Sequence, residues 1–198
     1  MGQTTGPSLT LGIVSGESPS VTRALAEGAS FAVQQALRGD GPELDIVVAA
    51  SASHWSTAST PTVELAFESE VVALISPPDR ATSHLVAQIG SRAHIPVLST
   101  SRAASIGATG SYWVVPLLGP VSDETPASRD LPPRVRPDAA PEGFASGFRE
   151  RFGREPDGWA TIGYLAASAV YEAARHHPAD TYRVIQELKT FPPIPVGE

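Results

Sequence analysis

Four short polar clusters each follow an apolar run. Between them they hold most of the side chains able to bind or react with a small molecule. They are Ser15-Gly16-Glu17-Ser18, Ser51-Ala52-Ser53-His54-Trp55, Pro77-Pro78-Asp79-Arg80 and Ser99-Thr100-Ser101-Arg102. Small hydroxyls and backbone amides at helix N-termini hold anionic groups. Arg80 and Arg102 attract a carboxylate through charge-assisted hydrogen bonds, whereas Asp79 repels one. Trp55 offers a flat cover for an apolar part of a ligand. The competing role of Ser and Thr at strand ends is turn and cap formation. The candidate ligand-binding set is Ser15, Glu17, Ser53, Trp55, Asp79, Arg80, Ser99, Ser101 and Arg102.

Signatures of catalysis are missing from the same sequence. It contains no Gly-x-Ser-x-Gly elbow, no His-Glu-x-x-His, no phosphate loop and no dinucleotide glycine fingerprint. With no cysteine, there are no disulfides, thiolate metal sites or cysteine nucleophiles. Of the five histidines, only His54 falls in a candidate cluster. His84 and His94 flank a helix expected over 82–92 and read as surface residues. His176 and His177 sit near another helix end, where a cation is favourable. Asp79 and Glu17 are placed to pair with each other. No enzyme, cofactor or metal centre is expected.

The clusters need strands and helices to hold them. Apolar runs at 9–15, 44–50, 71–75, 95–99 and 112–118 read as strands. Helical spacing marks 21–37, where Leu25, Ala29, Ala32, Val33 and Ala36 share a face. Thr60-Pro61 starts a second helix, and 82–92 forms a third. Strands this apolar are buried on both faces, and their alternation with helices implies parallel βαβ units. The stretch 119–141 carries Pro120, Pro126, Pro132, Pro133, Pro137 and Pro141 and reads as a linker. Helices return at 142–152, 159–175 and 179–189. Residues 1–8 and 191–198 are tails, the latter too rich in proline to be helical.

Charge and hydropathy narrow the partners. Fourteen basic against 21 acidic residues give a net charge of −7, with no basic stripe for nucleic acid. No run approaches the roughly 20 apolar residues that span a bilayer. Residues 1–6 lack the basic start and apolar stretch of a signal peptide. Gly6 stands where a myristoylation pattern needs Ser or Thr.

Four segments, in order, resemble the type I periplasmic binding proteins of the branched-chain amino-acid kind. They are Glu27-Gly28-Ala29-Ser30-Phe31-Ala32-Val33; Val71-Val72-Ala73-Leu74-Ile75-Ser76-Pro77, with spacing that matches without a gap from Ser76 to Pro96 and ends in Ile95-Pro96-Val97-Leu98-Ser99; the segment 148–157; and Ile162-Gly163-Tyr164-Leu165-Ala166-Ala167. The resemblance implies an α/β fold: a three-layer α/β/α sandwich on a flavodoxin-like parallel sheet of about five strands. Members of that family have two lobes and run to about twice this length. The resemblance therefore covers a single lobe of a periplasmic-binding-protein type I fold, over 9–190, with 119–141 standing where the second lobe belongs.

It also implies a solute-binding module of an ABC-type uptake system for amino acids or small carboxylates, in the periplasm or otherwise outside the cytoplasm. The partners would be a small-molecule ligand and an ABC permease, without membrane insertion. The family's ligand-holding pattern is altered here. Asp79 and Arg80 replace small hydroxyl residues at the start of the third helix, and Arg102-Ala103 replaces an Ala-Thr pair. Loss of ordinary amino-acid binding is one consequence. The alternative reading is a protein-interaction or regulatory module whose ligand face has become a homodimer or partner contact.

Overall fold

The computed structural model describes residues 8–36, 41–49, 58–119, 133–136 and 139–196. Five strands form one parallel sheet: β1 (Leu9–Val14), β2 (Leu44–Ala49), β3 (Ala73–Ser76), β4 (Val97–Ser99) and β5 (Val114–Pro116). Their spatial order is β2-β1-β3-β4-β5. Neighbours register Leu11 beside both Ile46 and Ala73, Leu74 beside Val97, and Leu98 beside Val115. Helices cover both faces, giving three layers. One face carries α1 (Pro19–Ala36), α5 (Phe144–Phe152), α6 (Gly158–Ala174) and α7 (Thr181–Leu188). The other carries α2 (Ser59–Phe67), α3 (Arg80–Ala93) and α4 (Ala104–Ala108).

Period-two alternation sends the strand side chains to two cores. Leu9, Leu11, Ile13, Ala73, Ile75 and Leu98 join Leu25, Phe31, Phe148, Ile162 and Ile185 in the larger one. Val14, Leu74 and Val97 join Leu65, Val86 and Ile106 in the smaller. The helices beyond the Pro-rich stretch therefore share an interior with the first strands. Local caps set their ends. Asp157 accepts from Ala160 N at 2.8 Å to start α6, and Asp180 accepts from Arg183 N at 3.1 Å to start α7. Gly153, at φ 69°, ends α5 in the left-handed conformation that glycine adopts without steric cost.

Several expectations need correction. Strand β2 is not buried on both faces: it lies at the sheet edge, and Val47 and Val48 are exposed at 38% and 42%. The third strand begins two residues later than its apolar run, although Val72 N already donates to Thr10 O at 2.8 Å. The fifth strand shrinks to three residues because Tyr112 and Trp113 lie in a turn. The short helix α4 was not anticipated. The segment after α7 is not wholly detached: Ile194 is buried and forms a parallel bridge with Leu118, its N–H donating to Leu117 O at 2.8 Å. Val135 pairs antiparallel with Val196 on the far side. Three chain segments thus run side by side beyond β5.

Candidate functional site

In an open parallel sheet, ligands sit beyond the carboxyl ends of the strands, where the strand order reverses direction. Here that point lies between β1 and β3, because β1 has β2 on one side and β3 on the other. The loops bordering the crevice are Ser15–Ser18 and Pro77–Asp79. The next gap, between β3 and β4, adds Thr100–Arg102.

Behind this rim the hydroxyls are bonded to one another. Ser83 Oγ donates to Pro77 O at 2.5 Å. Ser76 Oγ lies 2.9 Å from Ser83 Oγ and 3.3 Å from Ser99 Oγ. Ser76 Oγ is the donor to Ser99 Oγ and Ser83 Oγ the donor to Pro77 O, so the three contacts of this pair share two hydroxyl protons. Thr100 Oγ1 donates to Ser76 O at 2.8 Å, and Ser99 Oγ accepts from Ser101 N at 3.3 Å. Ser76, Ser83, Ser99, Thr100 and Ser101 are all buried. Together they tie the ends of β3 and β4 to the first turn of α3. Ser83→Ala is expected to cost about 1–3 kcal/mol by removing the donor to a buried carbonyl. Urea denaturation reads this as a lower midpoint at unchanged slope, and an unchanged midpoint would mean that the bond contributes nothing.

The candidate residues divide by location. Ser15 is buried, with its Oγ 3.3 Å from Thr22 Oγ1. Ser99 and Ser101 belong to the network just described, and Ser101 Oγ also accepts from Ala103 N at 3.4 Å. Asp79 is the N-cap of α3: its Oδ1 accepts from Thr82 N at 2.9 Å. Its Oδ2 is buried and has no hydrogen-bond partner, so the expected Asp79–Glu17 pair is not formed. Two carboxylates have no proton donor to share unless one is protonated. Glu17 and Arg80 are exposed, and Arg102 is half-buried with its Nε donating to Gly119 O at 3.2 Å. Ser53, Trp55 and His54 lie outside the described residues.

Ser76 and Ser83 lie outside the four clusters read from the sequence, and Thr100 lies in one of them but outside the candidate set; all three belong to the network behind the rim. Only the register Ser76 beside Ser99 brings them together, and no local pattern announces that register. His84 is not a flanking surface residue. It lies within α3, half-buried, with Nε2 at 3.0 Å from Ser105 Oγ. Among the described residues no group of three His, Cys, Asp or Glu is placed to hold a metal. Among them, too, no helix is long and apolar enough to cross a membrane.

The fold recurs in solved structures. The branched-chain amino acid transporter substrate-binding protein LivJ of Streptococcus pneumoniae, in complex with isoleucine, matches at TM-score 0.75 and 13% identity. The match covers 92% of this chain and 88% of that one. The chain has the type I periplasmic-binding-protein fold. A leucine-binding protein of Thermotoga maritima matches at TM-score 0.72 and 12% identity, over 91% of this chain and 87% of its own. A solute-binding protein of an ABC transporter from Rhodopseudomonas palustris, in complex with 3,4-dihydroxybenzoic acid, matches at TM-score 0.73 and 11% identity, over 91% and 84%. No family model and no curated protein sequence matches the chain. In this type I fold, Gly28 and Gly163, each within a resembling segment, lie where α1 crosses α6. A Cβ on Gly28 would strike the backbone of Ala160, and one on Gly163 the backbone of Leu25.

Proposed function

We propose that the chain is a solute-binding module of the ABC-uptake type, not an enzyme, which holds a small amino or carboxylic solute at the β1/β3 crevice. The observation that carries this reading is the strand-order reversal between β1 and β3, where open parallel sheets bind ligands, in a fold shared with binding proteins for amino acids and aromatic acids. Ser15, Glu17, Asp79, Arg80, Ser99, Ser101 and Arg102 are the proposed rim, with Ser53 and Trp55 completing it. In the same proposal residues 9–190 form one lobe, and 119–141 bridges the place of a second. The pairing of 133–136 with 194–196, beside 117–118, supports this reading, because it ties the end of the bridge back to the place where the chain leaves the sheet. The module works outside the cytoplasm with a permease.

One lobe offers a shelf rather than a closed cleft, so affinity should be weak unless a second surface closes over the solute. Calorimetry with isoleucine, leucine, benzoate and 3,4-dihydroxybenzoic acid is expected to give dissociation constants in the millimolar range. No heat from any of them up to ~10 mM, for a protein that is monomeric by light scattering, would overturn the reading.

A second reading treats the same face as a dimer or partner contact. It is favoured by the rim hydroxyls, which are already bonded to one another and have few protons left for a ligand. A stable dimer that dissociates on Arg80→Glu would support it, whereas a monomer with a tight small-molecule ligand would exclude it.

A further inference from the structure

The carboxylate of Asp79 is the one rim group whose bonding is left incomplete among the described residues. Asp79 is 5% exposed. Its Oδ1 caps α3 through Thr82 N, so the helix N-terminus is already served by a negative group. Its Oδ2 receives no hydrogen bond, and no ion pair with Asp79 is found among the described residues. That oxygen lies against Gly16 on the facing loop. A Cβ there would overlap both Oδ2 and the Pro77 ring, whose Cβ would be 2.5 Å away. The unpartnered oxygen thus lies beneath the Gly16 and Pro77 loops at the β1/β3 strand ends, and a ligand reaches it when those loops part.

Leaving a buried carboxylate oxygen without a donor is costly. A donor from outside the described network, a water or a ligand nitrogen, would complete it. An anion arriving at this helix end would meet the carboxylate first. A positively charged nitrogen would find an acceptor there, and exposed Glu17, next to Gly16, places a second carboxylate on the same loop. We propose that this crevice takes the cationic nitrogen of a solute, a primary ammonium or an amidinium, with Asp79 Oδ2 as its acceptor, rather than a carboxylate. The proposal rests on the solute-binding reading and specifies which end of the solute the helix terminus receives. It also gives a reason for an aspartate at a position where the resemblance implies a small hydroxyl.

Three compounds that share leucine's branched five-carbon portion separate the possibilities: 3-methylbutylamine carries only the amine, 4-methylpentanoate only the carboxylate, and leucine both. Titration of the full chain near neutral pH, at fixed ionic strength set with sodium chloride, is expected to rank the amine at least about tenfold above the carboxylate. Asp79→Asn should weaken the amine by about tenfold while leaving the melting temperature nearly unchanged, because asparagine caps a helix as well as aspartate does. Asp79→Ala should lose both the amine and the cap. If the carboxylate binds and the amine does not, or if Asp79→Asn binds the amine as wild type does, the inference is overturned and the solute-binding reading stands. If none of the three binds, the inference is overturned, and the solute-binding reading falls with it when benzoate and 3,4-dihydroxybenzoic acid also give no heat.

Discussion

Phe148→Ala is expected to lower stability by about 3–5 kcal/mol, the usual cost of deleting a fully buried aromatic ring. Phe148 has no exposed surface and packs edge-on against Phe31 of α1, with ring centroids 6.1 Å apart and planes at 74°. Phe144 and Phe152 flank it at 5.8 and 4.5 Å. Tyr164 of α6 closes the cluster, 4.5 Å from Phe144 and 6.1 Å from Phe31. These rings join the chain beyond the Pro-rich stretch to the first helix of the sheet. Whole-domain stability is about 5–15 kcal/mol, so the variant should stand near its unfolding threshold at ambient temperature. Guanidinium denaturation should show one transition, shifted to a lower midpoint with an unchanged slope. Amide exchange is the sharper measurement, because a single interior must lose protection together. The β1 amides of Leu11 and Ile13 should then exchange faster in the variant, together with those of α6. If β1 keeps its protection while α5 and α6 lose theirs, the two stretches fold as separate units and the one-lobe architecture is wrong.

That architecture was readable because its signal is redundant. Leu-Thr-Leu-Gly-Ile-Val, Val-Val-Ala-Leu-Ile and Val-Leu-Ser are too apolar to sit anywhere but inside a covered sheet, and α1 and α6 show their buried faces in plain 3.6-residue spacing. Position within the sheet was not readable. Strand β2 has the composition of an interior strand, Leu-Asp-Ile-Val-Val-Ala, yet it lies at the edge with Val47 and Val48 exposed. Hydropathy reports what a strand tolerates, whereas pairing with β1 alone is set by topology. The helix α4 has only five residues and one buried side chain, Ile106, so no period could emerge. Ile194 entered the core although prolines surround it. Proline forbids a helix but permits an extended segment at a sheet edge.

The rim was legible as a place and illegible as a network. Strand ends alone located Ser15, Asp79, Ser99 and Ser101 near the carboxyl face. Whether a hydroxyl there points to a ligand or to a neighbour depends on register, and the register puts Ser76 beside Ser99. A helical period then carries Ser83 back onto Ser76. Asp79 shows the same division. Asp before an apolar helical pattern is a cap signal that the reading of Asp79 as a ligand contact passed over, and its Oδ1 accepts from Thr82 N. The empty side of its carboxylate follows from how closely Gly16 approaches, which no one-dimensional pattern contains.

Gly28→Ala and Gly163→Ala are each expected to destabilise the protein by about 1–3 kcal/mol, the range for overpacking a tight interface. The sign is the informative part. Inside a helix, replacing glycine with alanine ordinarily gains about 0.5–1 kcal/mol. At Gly28 the new methyl would meet Ala160 C at 2.7 Å and Tyr164 N at 2.9 Å. At Gly163 it would meet Leu25 C at 2.8 Å and Leu25 Cα at 2.9 Å. Those neighbours are backbone atoms of the opposite helix, so relief requires α1 and α6 to move apart as rigid bodies. Such a shift would also loosen Leu25, Ala29, Ile162 and Ala166, which fill the space between these helices and the sheet. Gly107 in α4 supplies the control, because nothing lies within 4 Å of the Cβ it would gain. Gly107→Ala should therefore be neutral or stabilising by up to about 1 kcal/mol. The two interface substitutions act on one crossing. Once the first has separated the helices, the second meets less resistance, and the double variant should lose less than the sum of the single losses. Thermal melts resolve all four variants, since 1 kcal/mol moves the midpoint by roughly 2–4 °C in a chain of this size. A stabilised Gly28→Ala would mean that α1 and α6 are not in backbone contact. The glycines in both resembling segments would then need a reason other than the closeness of this crossing.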